Sequence, residues 1–97
     1  MTVEPIQVET RRPISITIVD ATDCHYCERA HELLTGLRSR LPIEITRIHM
    51  ESPEGRNLIA GHRVPFPPLL LVDGRYFGHG RISKKKLERE LTVRAGA

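Results

Sequence analysis

The spacing of apolar residues divides this chain into short elements. Residues 14–19, ISITIV, are a run of mostly β-branched side chains that is typical of a buried strand. After it, apolar residues recur three or four positions apart, as on one face of an amphipathic helix. They are Cys27, Ala30, Leu34, Leu37 and Leu41. We expect this helix to begin near Cys24 and to end at Pro42, which cannot continue it.

A second strand and a second helix follow. Residues 43–50, IEITRIHM, predict a strand, so residues 14–50 form a strand–helix–strand unit. Its crossover should be right-handed, which makes the two strands parallel. Ser52 and Pro53 then have the residue types preferred at the cap and the first position of a helix.

The last part of the chain predicts a hairpin and a final helix. Residues 69–72 and 75–78 flank the turn pair Asp73-Gly74, which favours an antiparallel hairpin. A helix begins near Ser83 and buries leucines at helical spacing. The complete predicted order is therefore β-α-β-α-β-β-α.

Composition limits what these elements can build. The chain has 97 residues, of which 39% are hydrophobic and 28% charged, as in one globular domain. We assign residues 13–94 to this domain, residues 1–12 to an N-terminal arm or extra edge strand, and residues 95–97 to a C-terminal tail. No apolar run could span a membrane, and the first residues are too polar for a secretory signal. We expect a cytoplasmic monomer with no membrane partner.

The charge pattern argues against nucleic acid as a partner. The net charge is +3, and two phenylalanines and two tyrosines are the only aromatic platforms. We interpret the basic residues as a solvated face. In RISKKK, residues 81–86, cations lie at the predicted start of a helix, against the preference of the helix dipole. Either the cost is small, or Arg81 and Lys84 face an acidic partner.

The candidate chemistry lies where the first strand meets the first helix. Cys24 and Cys27 are the two cysteines of the chain, and in a reducing compartment such a close pair is more often catalytic or metal-binding than structural. Free N–H groups and the positive end of the helix dipole favour a thiolate at the first turn. We therefore expect the pKa of Cys24 to lie below the free-thiol value of about 8.5. Cys27, about one turn further on the inner face, would resolve the mixed disulfide.

The residues beside the pair tune its chemistry. A protonated His25 stabilises a thiolate on Cys24, and stabilising the reduced form makes the couple more oxidising. Asp23, directly before Cys24, has the opposite effect, so the net shift stays open. Tyr26 is expected to shape the rim of the groove. Because Cys24 falls off the apolar face that Cys27 occupies, the two are not simply core residues.

This arrangement resembles the thioredoxin-like superfamily over residues 14–92. Cys-His-Tyr-Cys is similar to the Cys-Pro-Tyr-Cys of glutaredoxins, and Pro68 followed by Asp73-Gly74 resembles their proline and hairpin. The resemblance implies an α/β fold of the glutaredoxin type, with a central mixed four-stranded sheet flanked by helices. It also implies a thiol–disulfide oxidoreductase. Where glutaredoxins carry an acidic pair after the hairpin, this chain has Arg81 and Ile82.

The resemblance further implies a loop that lies against the cysteines. One proline of VPFPPLLL, residues 64–71, is cis in this fold. The spacing to the hairpin favours Pro68 over Pro67, although Pro67 would then offer no N–H to a substrate. The residues expected to contact substrate are Phe66, Pro67, Pro68, Gly80 and Arg81.

The expected substrates are disulfide-bearing proteins or small-molecule disulfides, without a bound cofactor. Glutathione, another small thiol or a reductase would supply electrons. The alternative is a zinc, copper or iron–sulfur module without redox turnover. Metal-chaperone domains usually have methionine where this chain has Thr22, and cluster-binding glutaredoxins usually have one cysteine followed by Gly-Phe-Ser. We expect no metal site at the histidines, which are His25, His31, His49, His62 and His79.

Overall fold

The computed structural model describes residues 13–96 as seven elements. They are β1 (Ile14–Asp20), α1 (His25–Arg38), β2 (Ile43–His49), α2 (Pro53–Gly61), β3 (Leu69–Val72), β4 (Arg75–His79) and α3 (Lys84–Gly96). This is the predicted β-α-β-α-β-β-α order. Residues 1–12, predicted as an arm or edge strand, lie outside the described residues. α3 runs to Gly96, beyond the predicted domain end at residue 94.

The four strands form one mixed sheet in the order β2-β1-β3-β4. β1 and β2 are parallel, as the strand–helix–strand pattern predicts. β3 runs antiparallel to β1 and to β4, so the hairpin is confirmed. In the centre, Ile16 is paired with Ile45 on one side and with Val72 on the other.

Helices cover both faces of this sheet. β1 and β3 are the inner strands; all four residues of β3 are buried, and so are those of β1 except Ser15, which is exposed, and Thr17, which is half-buried. One face packs against α1 and α3 through Ile14, Ile16, Ile18, Leu34, Leu37, Leu87 and Leu91. The other face packs against α2 through Val19, Val64, Leu69 and Leu71, with Leu58 and Ile59 beside them. The α/β sheet flanked by helices is therefore as predicted, and the carboxyl end of β1 is held between two apolar layers.

α1 ends at Arg38, earlier than the prediction that carried it to Pro42. Residues 39–42 already form the turn into β2, and the carbonyl of Pro42 accepts the N–H of Ile14 at 2.7 Å. Since this bond starts the pairing of β1 with β2, the chain must leave the helix before Pro42. Leu41 still packs against the core, as its position in the apolar pattern predicts. Within residues 13–96, no helix is long and apolar enough to cross a membrane.

Candidate active site

Cys24 occupies the N-cap of α1. Its backbone is extended, with φ −114° and ψ 108°, and its carbonyl accepts the N–H of Glu28 at 3.1 Å. Its sulfur accepts the N–H of Cys27 at 3.1 Å. The sulfur thus has the place that a serine or aspartate oxygen takes in an ordinary N-cap, where free amides favour negative charge.

Cys27 lies one turn further along α1 and faces the interior. It is 2% exposed, whereas Cys24 is half-buried. The two sulfurs form a disulfide across a Cα–Cα distance of 5.1 Å. One sulfur is therefore reachable from solvent and its partner is shielded, as expected from the position of Cys27 on the apolar face of the helix.

The loop before β3 approaches the cysteines through its prolines. The Pro67-Pro68 bond is cis, at the proline that the hairpin spacing favours. The carbonyl oxygen of Pro67 lies 4.0 Å from the sulfur of Cys24. Pro68 is buried, and its carbonyl accepts the N–H of Gly80 at 2.8 Å. The loop is thereby joined to the segment that leaves β4.

Gly80 supports this loop by close packing. Its φ is +66°, and a Cβ atom there would lie 2.5 Å from Cε1 of Phe66. Only glycine has both the backbone freedom and the space that this contact requires. Phe66 itself is 49% exposed. The amide of Gly80 is already used by Pro68, so a substrate contact at Gly80 stays a prediction, whereas its contact with Phe66 is observed.

The remaining predicted residues surround the pair at the surface. His25 is exposed and Tyr26 is 43% exposed. Both line a groove of about 670 Å³ that also includes Arg81. Asp23 is exposed and has a left-handed backbone, with φ +54°, which aspartate tolerates better than most residues. The structure therefore brings His25, Tyr26 and Arg81 to one groove.

The structure also has an ionic cluster at the carboxyl end of β1, which the sequence patterns do not predict. Asp20 ends β1 and is 5% exposed. Nε2 of His31 lies 2.7 Å from Oδ2 of Asp20, and Arg47 donates to the same oxygen from Nη2 at 2.9 Å and from Nε at 3.1 Å. Asp20 thus provides a buried carboxylate at the end of β1, and the sequence signal that could find its partner Arg47 is the parallel pairing of β1 with β2.

This cluster keeps Asp20 ionised. Burial by itself would raise the pKa of Asp20, but the hydrogen bonds and charges of His31 and Arg47 outweigh it, so the pKa is lowered. The carboxylate joins the strand before the cysteines, the helix that carries them and the neighbouring strand β2. It therefore fixes the carboxyl end of β1, from which the chain continues to the cysteines.

Two other histidines, His49 and His79, have local hydrogen-bond partners. His49 lies 3.3 Å from the hydroxyl of Thr22, and His79 lies 2.8 Å from the hydroxyl of Tyr76. Among residues 13–96, no three His, Cys, Asp or Glu side chains come together in a way that could hold a metal ion.

Comparison with solved structures identifies the fold. No protein-family model and no curated protein sequence matches this chain. Glutaredoxin 1 from Francisella tularensis, solved with cacodylate, superposes with a TM-score of 0.57 at 12% identity, over 87% of this chain and 99% of the other. A mutant thioredoxin from Halobacterium salinarum superposes with a TM-score of 0.62 at 15% identity, over 90% and 83%. This chain has the thioredoxin-like fold, as the sequence resemblance implies.

Replacing Asp20 tests the ionic cluster. We expect Asp20→Asn to lower the free energy of unfolding at neutral pH by about 1.5–3 kcal/mol, the range for hydrogen bonds to charged groups. Because the pKa of Asp20 is lowered by folding, its contribution is present above the usual carboxyl value of about 3.9 and is lost as the pH falls through the folded value. The difference between variant and wild type in urea unfolding should therefore shrink as the pH falls below the usual carboxyl pKa.

The matched control is Glu51→Gln. Glu51 is exposed and makes no ion pair within the described part of the chain. We expect its substitution to change the free energy of unfolding little at any pH. A difference for Asp20→Asn that stays constant with pH would show that the charge of Asp20 does not stabilise the fold.

Proposed function

We propose that this protein is a thiol–disulfide oxidoreductase in which Cys24 attacks a disulfide and Cys27 resolves the intermediate. One observation carries the proposal: a half-buried sulfur at the N-cap of α1 accepts an amide hydrogen bond at 3.1 Å and is bonded to a sulfur that is 2% exposed. The thioredoxin-like fold supports the same class of chemistry.

The arrangement suits each step of disulfide exchange. In the reduced protein, the amide of Cys27 and the helix dipole stabilise a thiolate on Cys24. This thiolate attacks one sulfur of the substrate, the substrate S–S bond breaks, and one half leaves as a thiol after taking up a proton. Cys27 then loses its proton and its thiolate attacks the sulfur of Cys24, so that the mixed disulfide breaks and the second half leaves as a thiolate that takes up a proton. Two electrons have passed to the substrate, and the Cys24–Cys27 disulfide has formed.

A thiol donor must return the protein to the dithiol form. Glutathione, another small thiol or a reductase would supply two electrons by the reverse exchange. The substrates are disulfides of proteins or of small molecules. The reacting sulfur lies 4.0 Å from the carbonyl oxygen of Pro67, and Tyr26 and Phe66, which neighbour Cys24 and Pro67 in the chain, are 43% and 49% exposed.

A metal-binding module is not favoured. Two thiolates supply half of a tetrahedral zinc site, and the described residues offer no cluster of three ligands. Cys27 is also buried against the core. The metal content of the purified, reduced protein tests this alternative. Stoichiometric zinc or iron, together with a lack of disulfide turnover, would favour the metal module.

Single cysteine variants test the division of roles. We expect Cys24→Ser to lose disulfide reduction, because the attacking sulfur is gone. Cys27→Ser should accumulate a mixed disulfide between Cys24 and the substrate, because nothing resolves it. Mass spectrometry under non-reducing conditions detects this adduct. Full turnover by Cys24→Ser, or no adduct on Cys27→Ser, would contradict the assigned roles.

The acidity of Cys24 can be measured directly. In the Cys27→Ser background, the rate of alkylation by iodoacetamide as a function of pH reports the thiolate of Cys24 alone. We expect the midpoint to lie below the ordinary thiol pKa of about 8.5, because the N-terminus of α1 stabilises the anion. The same protein unfolded in urea is the control, since it has no helix. Equal midpoints for the folded and unfolded protein would refute this stabilisation.

A further inference from the structure

The groove beside the cysteine pair runs between the first turns of α1 and α3. We call it the α1–α3 groove. It has a volume of about 670 Å³, within the range of small-molecule sites. Among its lining residues are His25, Tyr26, Arg29, Arg81, Ile82 and Lys84. His25 and Tyr26 are the two residues between the cysteines, so the groove borders the turn that carries Cys24, although neither cysteine lines it.

The groove is lined by cations. No carboxylate side chain of residues 13–96 lines it. Within residues 13–96, Arg29, Arg81 and Lys84 form no ion pair with an acidic side chain, whereas Arg47 and Arg94 are paired elsewhere. Three cations, from α1, from α3 and from the segment between β4 and α3, thus face one cavity, which makes it complementary to an anion.

The sequence places these charges where they do not help the helix. Lys84 is the first residue of α3, and the first turn of α3 contains no acidic residue. The positive end of the helix dipole disfavours a cation at this position and favours an anion. A bound anion would interact favourably with the positive end of the helix dipole and with the unpaired side chains. This placement therefore favours an acidic partner for Arg81 and Lys84 over a cost that is merely small.

The opposite side of the site lacks a donor for an extended peptide. The backbone of Pro67 reaches within 4.0 Å of the sulfur of Cys24 but has no N–H to donate. A peptide lying beside Cys24 therefore finds an acceptor at this point and no amide. Contacts in the cationic groove can hold a small substrate without that amide.

We propose that the α1–α3 groove selects low-molecular-weight disulfides whose arms carry negatively charged groups, carboxylate or another oxyanion. The anionic arm contacts Arg29, Arg81 and Lys84 while the adjacent disulfide meets the thiolate of Cys24. The exchange itself is the one described above, so this inference rests on the proposed function and names its substrate class.

Four disulfides with matching two-carbon arms test this selection. They are 3,3′-dithiodipropionate and the disulfide of 2-mercaptoethanesulfonate, which are anionic, bis(2-hydroxyethyl) disulfide, which is neutral, and cystamine, which is cationic. Reduced protein is mixed with each at low ionic strength, quenched by alkylation and analysed by mass. Each rate constant is divided by that of dithiothreitol with the same disulfide, which removes intrinsic reactivity. We expect the anionic substrates to exceed cystamine by about tenfold.

A pair of lysine variants separates the groove from net charge. Lys84→Glu and Lys86→Glu change the charge equally on the same turn of α3, but only Lys84 lines the groove. We expect Lys84→Glu to reduce the anionic preference by about threefold or more and Lys86→Glu to change it little. Glutamate at the start of α3 suits the helix dipole, so Lys84→Glu should unfold at a temperature no lower than wild type.

Each outcome separates the two proposals. Equal normalised rates for all four disulfides, or equal effects of the two lysine variants, would overturn selection by the groove while leaving the oxidoreductase intact. A reduced wild-type protein that oxidises with none of the disulfides would overturn the proposed function itself. A preference for one anionic substrate over the other would tell carboxylate recognition from that of a tetrahedral oxyanion.

Discussion

The hydrogen bond from the amide of Cys27 to the sulfur of Cys24 is the contact on which the site depends. It exists because a short turn, residues 21–24, joins β1 to α1 and brings Cys24 to the N-cap, so that sulfur takes the position usual for oxygen. A thiolate at that position gains from the free amides of the first turn. The same turn places Cys27 on the apolar face of α1, so one sulfur is reachable and the other is buried.

The rest of the fold holds this turn in place. β1 is an inner strand with apolar layers on both faces, so its end has little freedom. Asp20 adds a polar brace there, because its buried carboxylate joins β1 to His31 of α1 and Arg47 of β2. On the other side, the prolines approach Cys24 from a loop that is tied to Gly80. The cysteines thus lie at the start of α1 and face the proline loop, and packing holds both the helix and the loop.

The basic residues near the cysteines have two different settings. At the end of β1, Arg47 is paired with the buried carboxylate of Asp20 and contributes to the fold. At the α1–α3 groove, Arg29, Arg81 and Lys84 have no acidic partner in the described part of the chain, and Lys84 opposes the dipole of its own helix. These three cations, in a groove that borders the turn of Cys24, are the groups that we propose for the anionic arm of a substrate.

Local patterns in the sequence determined the order of the elements, the position of the cysteine pair at the first turn of α1 and the proline before β3. Strand alternation, helical spacing and capping depend on residues that are close in the chain, so they can be read without a structure. The end of α1 was misplaced because the turn into β2 depends on pairing with β1. Only the tertiary structure joined Asp20 to Arg47, fitted Gly80 against Phe66 and gathered Arg29 with Lys84, because these partners are distant in the chain and meet only through strand pairing and helix packing.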